Sequence, residues 1–224
     1  MSRTSAAETF AALDQLGAEL LAGAIDGPGW QTGVEQLFAR ADHQALRSAL
    51  GVDWKAARRE VRTQGQSTLV LEPDQLQGGP PDPTFRSKLW LFADRHAIVP
   101  HGHRNLVSAF FVLEGRFRGR HYDRIRDEPD AIVISPTDDR TFAPGDCAAI
   151  CDRHDNVHWF TALDHDALLF NVGLTLPEHL RGRPGQREGA TERVYLDPEG
   201  EPLEGGLIRA PRASLATLRA KYDG

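Results

Sequence analysis

The chain has 224 residues, with 26 Lys or Arg against 32 Asp or Glu, and a formal net charge of −6. Lysine occurs only at 55, 88 and 221, and without a basic block a mildly acidic chain argues against nucleic acid as its main partner. The opening residues Met1–Glu8 carry no continuous apolar stretch, and no long apolar run occurs later in the chain. Neither secretion nor membrane spanning is therefore expected, and a cytoplasmic protein is.

Residues 1–84 read as a helical region and linker. Phe10, Leu13, Leu16, Leu20 and Leu21 recur at helical spacing, Gly27-Pro28-Gly29 interrupts the run, and Val34, Leu37, Phe38, Leu46 and Leu50 resume it. Asp53 is placed to cap a last helix over Trp54–Val61. The region is short for an independent domain, so it is expected to pack on the remainder of the chain or at a subunit interface, which is compatible with a homodimer. Residues 73–84, with four prolines and two glycines, form the connection.

From Phe85 the pattern changes to short strands between turn signals. The expected strands are 86–93, 96–100, 106–113, 116–125, 131–135, 147–151, 157–162 and 166–174. Closely spaced short strands predict a mainly β fold, a barrel or double-sheet jelly roll over 85–176. Residues 177–224 are expected to wrap the barrel as a C-terminal extension, with apolar islands at Val194-Tyr195-Leu196 and Leu207-Ile208 and a short helix near Ser214–Tyr222. Cys147 and Cys151 lie four apart, not the two-residue gap of redox pairs or zinc knuckles. They read as buried, reduced thiols.

The chemistry concentrates in the histidines. His101 and His103 are two apart, so in a strand they share a face. The apolar run Val107–Leu113 then closes on Glu114-Gly115, and Pro144-Gly145 offers the centre of a type II turn before His158-Trp159-Phe160. His154 competes with His158 for a third ligand place, but its Asp-Arg-His-Asp-Asn setting reads as a turn, whereas His158 leads an apolar strand.

In this order of motifs the chain resembles the cupin superfamily. His101, His103, Gly115, Pro144, Gly145, Asp146 and His158 fall on the positions of its two motifs, over roughly residues 86–176. The resemblance implies a cupin β-barrel with a metal on His101, His103 and His158. In that family a glutamate ligand lies five residues after the second histidine. Here Ser108 holds that place, and Val107, the other permitted one, cannot bind metal. The expected centre is therefore three neutral imidazoles without a carboxylate. Such a centre favours an anionic, chelating substrate, because the metal charge stays uncompensated and positions stay open.

The metal motif is also similar to that of thiol dioxygenases such as cysteine dioxygenase, although their Ser-x-His-x-Tyr strand is replaced here by Leu169, Asn171 and Gly173. The resemblance implies Fe(II), with other divalent metals left open. It also implies an O₂-dependent oxygenase (dioxygenase) acting on a small anionic substrate such as a thiol or amino acid. A metal-dependent isomerase or lyase using the metal as Lewis acid, and a non-catalytic metabolite-binding cupin, remain as alternatives. His121, on the strand face shared by Phe117 and Ile125, is expected inside the barrel as acid/base or support. Arg86, Lys88 and Arg104 are candidates to clamp a substrate carboxylate, which suits arginine best. Trp90, Phe110, Val112 and Phe160 read as barrel lining, and His43, His96, His165 and His179 as solvated.

Overall fold

The computed structural model describes residues 3–177, 180 and 193–224; His179 lies outside them. Four helices come first: α1 (Ala6–Leu21), α2 (Gly27–Phe38), α3 (His43–Ala49) and α4 (Trp54–Gln64). Each begins at a side chain that accepts from otherwise unpaired first-turn amides: Ser5 in a capping box with Glu8, then Asp26, Asp42 and Asp53. Gly27-Pro28-Gly29, expected as a break, instead forms the first turn of α2. Asp26 accepts from the Gly29 amide at 2.9 Å, and proline in a first turn costs no hydrogen bond.

The strands come next as β1 (Gln66–Leu71), β2 (Arg86–Phe92), β3 (Ala97–Gly102), β4 (Leu106–Glu114), β5 (Phe117–Asp127) and β6 (Ala131–Phe142). Then come β7 (Cys147–Ile150), β8 (Val157–Ala162), β9 (Ala167–Thr175), β10 (Val194–Tyr195), β11 (Glu201–Pro202) and β12 (Ile208–Pro211), before α5 (Leu215–Tyr222). They form two antiparallel sheets, ordered β1-β2-β9-β4-β7 and β10-β3-β8-β5-β6-β12-β11. The eight central strands, β2 to β9, split into β2-β9-β4-β7 and β3-β8-β5-β6, the pairing of a double-sheet jelly roll. The sheets extend past 85 and 176 at both ends. β1, not foreseen as a strand, lies along β2, and β10 and β12 of the extension add to the other sheet.

Two turns close as their sequences foretell. At Ala143–Asp146 the Asp146 amide donates to the Ala143 carbonyl at 2.9 Å, with Gly145 at φ +96°. Gly115, at φ +72°, joins β4 to β5, and a Cβ there would lie 2.8 Å from that of Ala167.

Alternation along β4 shows how the layers are built. Val107, Ala109, Phe111 and Leu113 face outward into a core shared with Phe10, Leu13, Trp30, Val34 and Phe38 of the helices. Phe38 stacks on Phe111 with centroids 4.5 Å apart. The helical region thus seals the outer face of one sheet, and truncating such an aromatic costs about 3–5 kcal/mol. Phe110 and Val112 face the other way, into the barrel interior with Phe92, Phe117, Phe142, Ile150 and Phe160. Cys151 belongs to the helix-side core rather than to the interior, and both cysteines are unpaired thiols.

The extension closes over the second sheet. Trp159, facing outward from β8, lies between Tyr222 of α5 at 4.7 Å and the Arg120 guanidinium at 4.5 Å. Asp223 accepts from the Ala97 amide and pairs with His96, both at 2.9 Å, so His96 is a tether and not solvated as expected. Among the described residues no helix is long and apolar enough to cross a membrane.

Candidate metal centre

Three histidines stand level on adjacent strands of one sheet. His101 of β3 is in register with His158 of β8, and His158 with His121 of β5. Pro100 lies within β3, not at its end, at a register irregularity between Ile98 and His101. Proline is tolerated there because the ladder is already interrupted. His103 comes just beyond β3 on the same face as His101. The side chains of His101, His103 and His158 are all buried, and their ligating nitrogens lie within 4.8 Å of one another.

Hydrogen bonds orient the rings. The His101 Nδ1–H donates to the Val99 carbonyl at 2.7 Å and the His158 Nδ1–H to the Asn156 carbonyl at 3.2 Å. Each bond leaves Nε2 with its lone pair, as the second-sphere contacts of a metal-binding imidazole do. His101 Nε2 and His103 Nε2 are 3.0 Å apart, and two nitrogens each about 2.1 Å from one ion at a right angle would be separated by the same amount. Among the described residues His158 Nε2 and His103 Nδ1, both buried, have no hydrogen-bond partner. A divalent cation held by the three rings would give the His158 nitrogen a partner. Burial, joined by the positive charges of Arg193 and Lys88, lowers the His103 pKa to about 3. Burial and the neighbouring rings hold His101 and His158 well below the ordinary histidine value. All three are therefore neutral donors near pH 7.

A cavity of about 560 Å³ opens onto this cluster, with His101 and His103 in its wall, a volume typical of small-molecule sites. Trp90, Ile98, Leu106 and Phe110 make its apolar side. Ser108, at the family's glutamate place, also lines it, accepting from Asn171 Nδ2 at 2.7 Å and donating to the Val172 carbonyl at 3.0 Å. Val107 faces the helices instead. Arg86 and Lys88 of β2 and Arg193 of the extension supply positive charge, and among the described residues no carboxylate lines the cavity. Burial, then Arg193 and Arg86, push the Lys88 pKa down.

Two of the expected residues are not among those that line the cavity. Arg104 is not in the cavity wall; its Nη2 donates to Asp127 at 3.0 Å, and Asp127 also engages Arg124. His121 is inside the barrel but next to Phe142 and Phe160, its ring 6.4 Å from that of His158, and it does not reach the cavity. Burial lowers its pKa to about 4. His154 is not part of the trio; it is half exposed and paired with Asp123 at 2.9 Å and Asp155 at 3.4 Å. Arg193, unnoticed in an arginine-rich tail, sits 5.8 Å over the Trp90 ring. Its one sequence signal was the adjacent apolar island Val194–Leu196, which pairs Tyr195 with His101.

No protein-family model matches the chain, and neither does any curated protein. Among solved structures, KdgF from Halomonas sp. shares 17% identity over 52% of this chain and 84% of its own, with a TM-score of 0.36. The 11S globulin from Wrightia tinctoria shares 17% over 50% of this chain and 26% of its own, at 0.37. A cupin superfamily protein of Desulfitobacterium hafniense shares 10% over 51% and 80%, at 0.33. Overlaps this slight carry no functional argument. Strand order assigns the fold: a jelly roll of the architecture that cupins share, enclosing a three-histidine cluster.

Proposed function

We propose that the protein is a non-haem Fe(II), O₂-dependent dioxygenase acting on a small anionic substrate that chelates the metal, such as a thiol or amino acid. One observation carries the reading: three neutral imidazoles cluster beside a cavity that two of them line, and among the described residues its charged groups are all cationic and none is a carboxylate.

His101, His103 and His158 would hold the metal. An iron(II) bound there supplies a redox centre with open coordination positions for substrate and dioxygen. Arg86, Lys88 and Arg193 draw in the anion and orient it, arginine by its planar fork of donors. Trp90, Ile98, Leu106 and Phe110 exclude water, which strengthens every charge interaction in the site. Ser108 and Asn171 offer a hydroxyl and an amide on the wall where the family has a carboxylate, so that wall adds no negative charge to compete with the substrate.

Anaerobic loading with Fe(II), and then O₂-uptake measurements across thiols, β-diketones and amino acids, test this. The expected result is substrate-stimulated uptake that disappears in His158→Ala. Turnover that proceeds unchanged without O₂ would make the protein an isomerase or lyase instead. Metabolite binding with no turnover at all would leave a binding module.

A further inference from the structure

We propose that Asn156 is a positioning residue that ties the two histidine-bearing segments into one metal centre; the proposal rests on the three-histidine reading above. His103 lies past the end of β3, where no ladder hydrogen bond holds it. Its carbonyl instead accepts from Asn156 Nδ2 at 2.9 Å. The same Nδ2 donates to the Cys151 carbonyl at 3.3 Å, and the Asn156 carbonyl accepts from His158 Nδ1. One buried residue thus holds His103 through its side chain and His158 through its main chain. Both Nδ2 partners are carbonyls, which fixes the orientation of the amide.

The chain makes room for this contact. A Cβ on Gly102, between His101 and His103, would stand 2.7 Å from Asn156 Oδ1 and 3.2 Å from Val157 Cγ2. Glycine at 102 therefore permits the close approach of Asn156, although its backbone conformation does not demand glycine.

Asn156 is itself held from the far side. Asp152 accepts from the Asn105 amide at 2.8 Å, the Cys151 amide donates to the His154 carbonyl at 3.0 Å, and the Asp155 amide donates to Asp123 at 2.8 Å. Gln31 of α2 donates to Asp155 at 2.9 Å. The loop 151–156 is thereby pinned to β5 and to the helical layer, and it delivers that rigidity to two imidazoles through one side chain.

The test uses full-length protein, Co(II) as the probe, competition against a chromophoric chelator, and the visible d–d bands as a reporter of ligand geometry. Asn156→Ala should weaken Co(II) binding about 10- to 100-fold, the usual effect of losing an outer contact, and shift the bands. Gly102→Ala should act in the same direction, and the losses in the double variant should be less than additive, because both act on the Asn156 contact. Wild-type affinity and bands in Asn156→Ala, or independent and additive losses in the double variant, would overturn the proposal. Should Asn156→Ala fail to fold, Gly102→Ala decides: weakened Co(II) binding at an unchanged apo melting temperature supports the contact, and wild-type binding refutes it. His158→Ala separates the two readings. Loss there with retention in Asn156→Ala removes only the Asn156 proposal, whereas retention in both removes the metal centre and the proposal together.

Discussion

Two clusters of metal-capable side chains meet the segment 154–158 at its two ends, and they differ in what their polar atoms already do. In His101, His103 and His158 the nitrogens converge in the interior, and His158 Nε2 has no partner among the described residues. In Asp123, His154 and Asp155 each group is engaged: Asp123 with His154 and the Asp155 amide, Asp155 with Gln31 and Thr137. Ligand count alone would rank the two alike. Saturation separates them, because a satisfied cluster already serves as a clasp for its loop, whereas a converging one with an unpartnered nitrogen is the candidate site.

The sharpest way to break this contrast is to remove a nitrogen from the interior. His158→Ala should abolish stoichiometric metal binding, read by elemental analysis of protein purified without a metal-chelating tag; metal content equal to wild type would contradict the assignment. Next in size are the cations of the cavity. Arg86→Ala and Arg193→Ala should each raise KM roughly 10- to 100-fold, the worth of a hydrogen bond to a charged group, with kcat less affected. Arg193→Lys should fall between, since it keeps charge and loses the fork. An unchanged KM in both alanine variants would remove the cationic wall from substrate recognition.

In the exposed cluster His154→Ala should leave metal content untouched and cost within about 1 kcal/mol in denaturant unfolding, because half-exposed ion pairs contribute little. Loss of metal there would promote the clasp to a site. The smallest effect belongs to Arg104→Ala, expected to leave KM at its wild-type value in the same assays, since its guanidinium faces Asp127.

Much of the barrel was legible because strands advertise their faces. Along β4 the outward residues are all apolar while Ser108 interrupts the inward set, and the structure places Ser108 in the cavity wall. The turn residues at 115 and 144–145 spoke for themselves through the backbone conformations they allow. β1 escaped notice because an edge strand with exposed Val70 shows no clear alternation, and its place depends on β2 rather than on its own pattern. Gly27-Pro28-Gly29 misled because proline and glycine that stop a helix also begin one; the preceding Asp26 cap decides between the two.

The residues of this chain determined, by themselves, the strand periodicity, the caps, the two turns and the shared face of His101 and His103, since each depends on neighbours a few positions away. Only the tertiary structure decided that His158 stands level with His101, that Arg193 returns to the cavity while Arg104 turns to Asp127, and that Asn156 reaches His103. Those relations join segments distant in sequence through sheet pairing and side-chain direction. No local pattern encodes which strand will lie beside which, because pairing is chosen by how well whole faces pack and how completely their polar groups are satisfied.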